Sequence, residues 1–377
     1  MRYLVSGGGT GGHVYPALAV ARALRDAQPG LELAYVGGVR GLERRIVTTQ
    51  AELPLPYHEL TVRSLRSGGM NAHLVMDPVR LAASVPQAWA LLGRLRPRAV
   101  FTSGGYLGIP LVMAARSRGI PSLVWEGNVV AGRATAAVGR LATRVAVSFP
   151  PTLASFPGRA FVSGTPIRLF EGADRLAARR AFGVGADDRL LLVFGGSQAV
   201  ARITDALAAA LERLLADWRV LHIAGEAGMA AAEQTRATLG GRLAERYQPV
   251  AYLTDLMTDA LVASDLVLGR AGSSTCAELT AVGVASILVP YPYAGAHQRA
   301  NAAWLADRGA AVMVGDEELD GERLLAEATR LRDDDIRGRM AAAAATMGLP
   351  HAADTIAAEL LAMGEGRPLP SLAGGAA

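Results

Sequence analysis

Two stretches of this chain carry residue types that could do chemistry on a phosphorylated ligand. Near the start it reads Gly7-Gly8-Gly9-Thr10-Gly11-Gly12-His13, and mid-chain Gly195-Gly196-Ser197-Gln198. Each follows a short apolar run and precedes a helical pattern. Glycines let the backbone approach a ligand closely, and a helix N-terminus offers unpaired N–H groups and partial positive charge to phosphate. Two such units suggest two nucleotide-binding-type domains facing a shared cleft. His13 ends the first loop, and imidazole titrates near neutrality, so it is the candidate base. A third segment runs Gly269-Arg270-Ala271-Gly272-Ser273-Ser274-Thr275-Cys276-Ala277-Glu278. Ser273, Ser274 and Thr275 would present N–H groups and hydroxyls to a phosphate. Glu278, about one helical turn on, suits the hydroxyls of a ribose. The same spacing fits an N-terminal capping arrangement, and the segment alone supports both readings equally. Further on, His297, Gln298 and Asn301 follow a Pro-rich turn at the end of an apolar run. Without acidic neighbours they suit the hydroxyls of a neutral sugar better than a metal. The histidines at 58, 73, 222 and 351 lack metal-ligand spacing and read as structural.

Composition narrows the chemistry. The 377 residues favour two domains, and 51% hydrophobic against 19% charged residues allows sizeable cores. Every basic side chain apart from histidine is arginine. That pattern fits a GC-rich coding sequence, and it excludes a Walker phosphate loop, a pyridoxal Schiff base and a Ser–Lys dyad, each of which needs an amine. Cys276 is the only cysteine, which excludes an intrachain disulfide and fits a reducing compartment. The few residues before the first glycines leave no room for a signal peptide, and no apolar run reaches the roughly 18 residues of a membrane-spanning helix. The expectation is a cytoplasmic protein, peripheral to a membrane at most.

The elements that must position these residues alternate. Strands are expected at 3–6, 31–36, 99–102, 122–125 and 143–147, then at 190–194, 219–224, 266–269 and 286–289. Helices are expected at 15–27, 42–50, 81–95 and 107–118, then at 201–217, 229–247, 273–282 and 296–308. This is an α/β pattern of parallel sheets wrapped by helices. Gly and Pro at 163–166 mark the domain boundary, giving domains 1–163 and 164–377. Helices at 321–363 end the second domain and could pack back on the first.

A glycine loop after the first strand also suggests a dinucleotide-binding oxidoreductase. That reading expects an acidic residue closing the second strand, where Val36-Gly37-Gly38-Val39 stands instead. The ordered set of motifs resembles the MurG family, the UDP-N-acetylglucosamine transferases of peptidoglycan synthesis, which have the glycosyltransferase-B fold. The matching pieces are residues 8–19, Gly104-Gly105-Tyr106, Glu126-Gly127-Asn128, Gly164-Thr165-Pro166-Ile167-Arg168, Gly195-Gly196-Ser197-Gln198, residues 270–278, and His297-Gln298 with Asn301. They span nearly the whole chain.

The resemblance implies two Rossmann-like domains with parallel sheets facing a central cleft. The first would take the undecaprenyl-pyrophosphate-linked acceptor and the second UDP-N-acetylglucosamine. Arg168, Ser197, Gln198, Ser273, Ser274 and Thr275 would serve the nucleotide, with Glu278 on its ribose and Leu253 against the uracil. His297, Gln298 and Asn128 would hold the sugar. Thr10, Gly11 and Gly12 would face the reacting end and the acceptor pyrophosphate. The chain departs from the family at Gly127, where glutamine is usual, and at Ala199, where a third glycine is usual. It also lacks the serine often found after Tyr106.

The implied reaction displaces UDP from C1 of N-acetylglucosamine by the 4-hydroxyl of an N-acetylmuramyl-pentapeptide lipid, with inversion, converting lipid I to lipid II. Such an enzyme would serve peptidoglycan synthesis, and with it cell shape and division. His13 is the expected base; Glu126 and a water are its rivals, and a helix-capping or pyrophosphate-positioning role is the alternative for His13. Without an Asp-x-Asp motif in the cleft region, no obligatory cofactor or protein-held metal is expected, and the leaving charge would fall on helix N-termini, Ser197 and Arg168. Between residues 61 and 98, six arginines face a single acid, Asp77, with apolar residues interleaved. Arg63, Arg66, Leu74, Arg80, Leu81, Trp89 and Arg94 suit an anionic cytoplasmic membrane surface. The plainer reading is a helix with one buried and one solvated basic face. Nucleic acid is not expected, since no recognition motif accompanies the patch. Other cell-wall synthesis proteins are further candidate partners. The competing functions are another glycosyltransferase-B enzyme on a glycolipid or natural product, a UDP-sugar epimerase, and a scaffold without turnover.

Overall fold

The computed structural model describes residues 1–377 apart from Arg40, 63–72, 168–171, 196–200, 254–255, 293–296, 371 and 373–377. Over 73–82 it describes backbone alone. The chain forms two compact units, Met1–Arg168 with Leu349–Ala377, and Leu169–Gly348.

The first unit is built on seven strands: β1 (Arg2–Ser6), β2 (Glu32–Gly38), β3 (Tyr57–Leu60), β4 (Ala99–Thr102), β5 (Ser122–Glu126), β6 (Arg144–Val147) and β7 (Ala160–Val162). They pair in the order β3-β2-β1-β4-β5-β6-β7, and every pairing is parallel. The apolar runs of β1, β4 and β6 are buried along almost their whole length, as a parallel sheet covered on both faces requires. The chain winds outward from β1 to β3, then returns to β4 on the other side of β1. Ser6 pairs with Thr102, so the loops leaving β1 and β4 start level with each other. The helix Ala352–Glu365 closes this unit. Its Ile356, Leu360 and Met363 share a core with Val14, Leu18 and Leu24 of the helix Gly11–Ala27.

The second unit repeats the plan with six strands: β8 (Leu190–Phe194), β9 (Arg219–Ile223), β10 (Tyr247–Val250), β11 (Leu266–Gly269), β12 (Ala285–Leu288) and β13 (Val312–Met313). Their order is β10-β9-β8-β11-β12-β13, again all parallel. Its switch of direction falls between β8 and β11, where the chain leaves β8 at Gly195 and where the Arg270–Glu278 segment follows β11. In open parallel sheets this crevice, beyond the carboxyl ends of the strands, is where ligands bind.

Four strands escape the apolar pattern: β3, β7, β10 and β13. All four are sheet edges. An edge strand is paired on one side only and needs no unbroken apolar run, so Tyr57-His58-Glu59-Leu60 serves. The single helix expected at 229–247 is in fact two, Gly225–Thr238 and Gly241–Arg246, after which the chain enters β10. Gly240 and Gly241 break it, because glycine costs more ordering entropy in a helix than other residues.

Candidate active site

In the first unit the switch point joins the loop after β1 to the loop after β4. The Ser103 N–H donates to the Ser6 carbonyl at 2.9 Å, and the Ser103 hydroxyl donates to the His13 carbonyl at 2.8 Å. In return, Nδ1 of His13 lies 2.8 Å from the Ser103 carbonyl oxygen. A carbonyl only accepts, so Nδ1 carries the hydrogen and, in neutral imidazole, Nε2 carries the lone pair. That is the tautomer a base needs. The ring is partly exposed. Gly7 has no room for a side chain, since a Cβ there would strike the His13 carbonyl and the Ser103 hydroxyl. Gly9 adopts φ +92°, a conformation glycine reaches without strain. Thr10 is the N-cap of the helix Gly11–Ala27, yet its hydroxyl makes no capping bond. The start of this helix therefore presents Thr10, Gly11 and Gly12 as a partly exposed polar turn.

Glu126 ends β5 almost fully buried. One oxygen accepts from the backbone and side-chain nitrogens of Asn128, both at 3.0 Å, and the other accepts from the Gly132 N–H at 2.9 Å. Its carboxylate braces the loop 127–132 and orients Asn128.

In the second unit the helix Ser273–Val282 opens with Gly272 as N-cap and no side-chain capping bond. The capping-box alternative is thus not the arrangement used. Ser273, Ser274, Thr275 and Glu278 are partly exposed, whereas Cys276 and Leu279 face the core. Burial pushes the Cys276 thiol up to about 12, which leaves it protonated and no nucleophile. Arg270 is buried beneath this loop. It pairs with Asp316, donates to the Val289 carbonyl at 3.1 Å, and lies 5.6 Å from the Tyr291 ring centre. Nearby, the Gln298 side-chain oxygen accepts from the Tyr291 N–H at 2.9 Å, and the fully buried Asn301 donates to the Ala271 carbonyl at 3.1 Å. These bonds tie the loops after β11 and β12 together. His297 and Gln298 open the helix His297–Ala306, both partly exposed, and Leu253 stands just beyond β10. Arg168, Ser197 and Gln198 lie outside the described residues.

Of the basic segment, Arg63 and Arg66 lie outside the described residues. Leu74, Arg80 and Leu81 are on the helix His73–Leu95, where only backbone is described. Further along, Ala88, Leu91 and Leu92 are buried, Arg94 is exposed, and Trp89 is 47% exposed. The Arg118 guanidinium sits 3.6 Å from the Trp89 ring centre and donates to its carbonyl. Among the described residues no helix is long and apolar enough to cross a membrane, and no group of three His, Cys, Asp or Glu side chains could hold a metal ion.

Sequence reasoning missed two residues of the first switch point. One is Ser103, directly before the Gly104-Gly105 pair. The other is Glu43, fully buried beneath the glycine loop although its place in a short helix suggests a solvated position.

Two parallel α/β units, each with a helix start at its switch point, make the architecture of the glycosyltransferase-B fold. Residues 3–147 match the glycosyltransferase family 28 N-terminal domain and residues 190–356 the family 28 C-terminal domain. The chain belongs to glycosyltransferase family 28. A relative from Salinibacter ruber, 38% identical over 96% of each chain, is named UDP-N-acetylglucosamine--N-acetylmuramyl-(pentapeptide) pyrophosphoryl-undecaprenol N-acetylglucosamine transferase. A relative from Nocardioides, 40% identical over 94% of this chain and 95% of its own, carries the same name. The crystal structure of Acinetobacter baumannii MurG superposes with a TM-score of 0.76 at 29% identity, covering 96% of this chain and 99% of that one.

Proposed function

We propose that this protein moves N-acetylglucosamine from UDP-N-acetylglucosamine to the 4-hydroxyl of undecaprenyl-pyrophosphoryl-N-acetylmuramyl-pentapeptide, with inversion at C1. The substrates come from the names of relatives that match along almost the entire chain. The observation that carries the chemistry is the His13–Ser103 bond, which sets the hydrogen on Nδ1 and the lone pair on Nε2. In the reaction the acceptor oxygen bonds to C1 while the bond from C1 to the β-phosphate oxygen breaks. The hydroxyl proton passes to Nε2 of His13, and UDP leaves with the bonding electrons. Glu126 is the weaker candidate, because three N–H donors already occupy its carboxylate.

Donor binding is assigned mainly to residues of the second unit, with Asn128 and Arg168 from the first. The N–H groups and hydroxyls of Ser273, Ser274 and Thr275 take the diphosphate, joined by Ser197, Gln198 and Arg168. Glu278 takes the ribose hydroxyls, Leu253 the uracil, and His297, Gln298 and Asn128 the sugar. The start of the helix Gly11–Ala27 supplies N–H groups to the acceptor pyrophosphate. Leaving-group charge rests on helix ends and arginine, and turnover is expected to survive a chelator. The segment around Trp89 and Arg94 seats the enzyme on the anionic inner face of the cell membrane.

The test is transfer of labelled N-acetylglucosamine to an undecaprenyl-pyrophosphoryl-muramyl-pentapeptide analogue. Label in the lipid, with UDP released only when acceptor is present, supports the reading. Release of UDP without acceptor, or a changed sugar on the nucleotide, defeats it.

A further inference from the structure

Glu43 is a fully buried carboxylate on the helix Leu42–Thr48 that no step of the reaction uses. One oxygen accepts from the Gly9 N–H at 3.3 Å. The other accepts from the Gly38 N–H at 3.0 Å and the Tyr106 hydroxyl at 3.3 Å. These donors sit after β1, at the end of β2 and after β4, so one side chain reaches every strand end at the first switch point. Its partners among the described residues are all neutral.

The surroundings are shaped for this group. A Cβ on Gly8 would come within 2.8 Å of its Oε1, one on Gly38 within 3.0 Å, and one on Gly41 would collide with the carboxylate outright. Around it, the Tyr57 hydroxyl donates to the Gly38 carbonyl at 2.9 Å and the Tyr35 hydroxyl to the Gly7 carbonyl at 2.5 Å. Burial and the nearby Glu43 charge raise the Tyr35, Tyr57 and Tyr106 hydroxyls well above their ordinary range, so all three stay protonated donors. A buried carboxylate is costly unless its lone pairs are filled, and removing it leaves the donors orphaned. The loop bearing Gly9 is therefore tied by a group that a neutral side chain cannot replace.

We propose that Glu43 is a positioning residue for the transfer: by holding the Gly9 N–H inward and Tyr106 in place, it sets the glycine loop on which Thr10, Gly11, Gly12 and His13 are presented to the acceptor. This rests on the reading of the first unit as the acceptor side. Glu43 does not touch substrate and acts only through the loop.

Glu43→Gln tests it, since the amide keeps the size and one acceptor oxygen but turns an N–H donor toward donors. Expected is a kcat lowered by about 10- to 100-fold, the scale of misplacing a reacting group by an ångström. KM for the lipid-linked acceptor should rise, while UDP affinity stays within about twofold because most of the residues assigned to the nucleotide belong to the other unit. Amide hydrogen exchange over residues 7–12 should quicken. The acid limb of the kcat profile should keep its midpoint, since His13 remains the base. Glu43→Asp, too short to span the same three donors, should fail to restore kcat. Tyr106→Phe, which keeps the charge and both backbone bonds, should lose less. Wild-type kcat, acceptor KM and exchange in Glu43→Gln would overturn the proposal, as would equal losses of UDP and acceptor binding. Should the wild-type protein transfer nothing to the lipid acceptor, the functional reading fails on its own, and the exchange measurement still decides whether Glu43 holds the loop.

Discussion

The first switch point is built over a buried carboxylate, Glu43, and the second over a buried guanidinium, Arg270. The signs differ but the use is the same. Glu43 is spent on Gly9, Gly38 and Tyr106; Arg270 is spent on Asp316 and the Val289 carbonyl. In both units buried charge braces the loops, and partly exposed polar groups stand at the helix starts. The two sites part company in what they present. The first offers a histidine held in one tautomer, the second a row of hydroxyls followed by Glu278. On the proposed reading, one serves proton transfer and the other grip.

That division can be broken by mutation. His13→Ala should lower kcat by about 10²–10⁴-fold with UDP affinity unchanged, measured by steady-state transfer and calorimetry. A large loss of UDP affinity would erase the contrast between the units. Arg270→Met leaves Asp316 without its buried partner and should cost about 3 kcal/mol in urea unfolding. Asp316→Leu in the same chain should restore most of it, whereas a bracing role for Arg270 predicts that UDP affinity remains impaired in both.

Acid should separate the units as well. Burial lowers His222, against the Tyr247 hydroxyl, to about 4, while the more exposed His58 is lowered less. A histidine whose folded pKa lies below its unfolded value near 6.5 contributes fully above that pH. As pH falls from 6.5 toward 4, the unfolded chain takes up the proton first, so stability falls by up to about 3 kcal/mol. His222→Gln should flatten this slope, and an unchanged slope would clear His222 of the effect. The smallest expected change is Glu278→Ala: if Glu278 takes the ribose as proposed, the variant loses charged hydrogen bonds worth about 1.5–3 kcal/mol of donor binding. It should raise KM for UDP-N-acetylglucosamine with less effect on kcat, and a kcat-only effect would move Glu278 away from the ribose.

The sequence makes the central strands legible because β1, β4, β8 and β11 must be apolar on both faces, and the glycine turns announce the switch points beside them. Edge strands β3, β7, β10 and β13 carry no such demand and stayed hidden. His13 stands out by type and place, but its tautomer depends on a carbonyl 90 residues away. Glu43 was invisible for a similar reason. Periodicity puts it on a short surface helix, and only the glycines at 8, 38 and 41, brought together by β1 and β2, show that space was reserved for a carboxylate.

The lone thiol has a practical consequence. Cys276 is buried within the helix Ser273–Val282, and the sequence holds no other cysteine and no lysine. Maleimide reagents should leave the native protein untouched. A cysteine placed on either surface would then accept a single dye or spin probe, giving a clean reporter of motion in each unit during turnover.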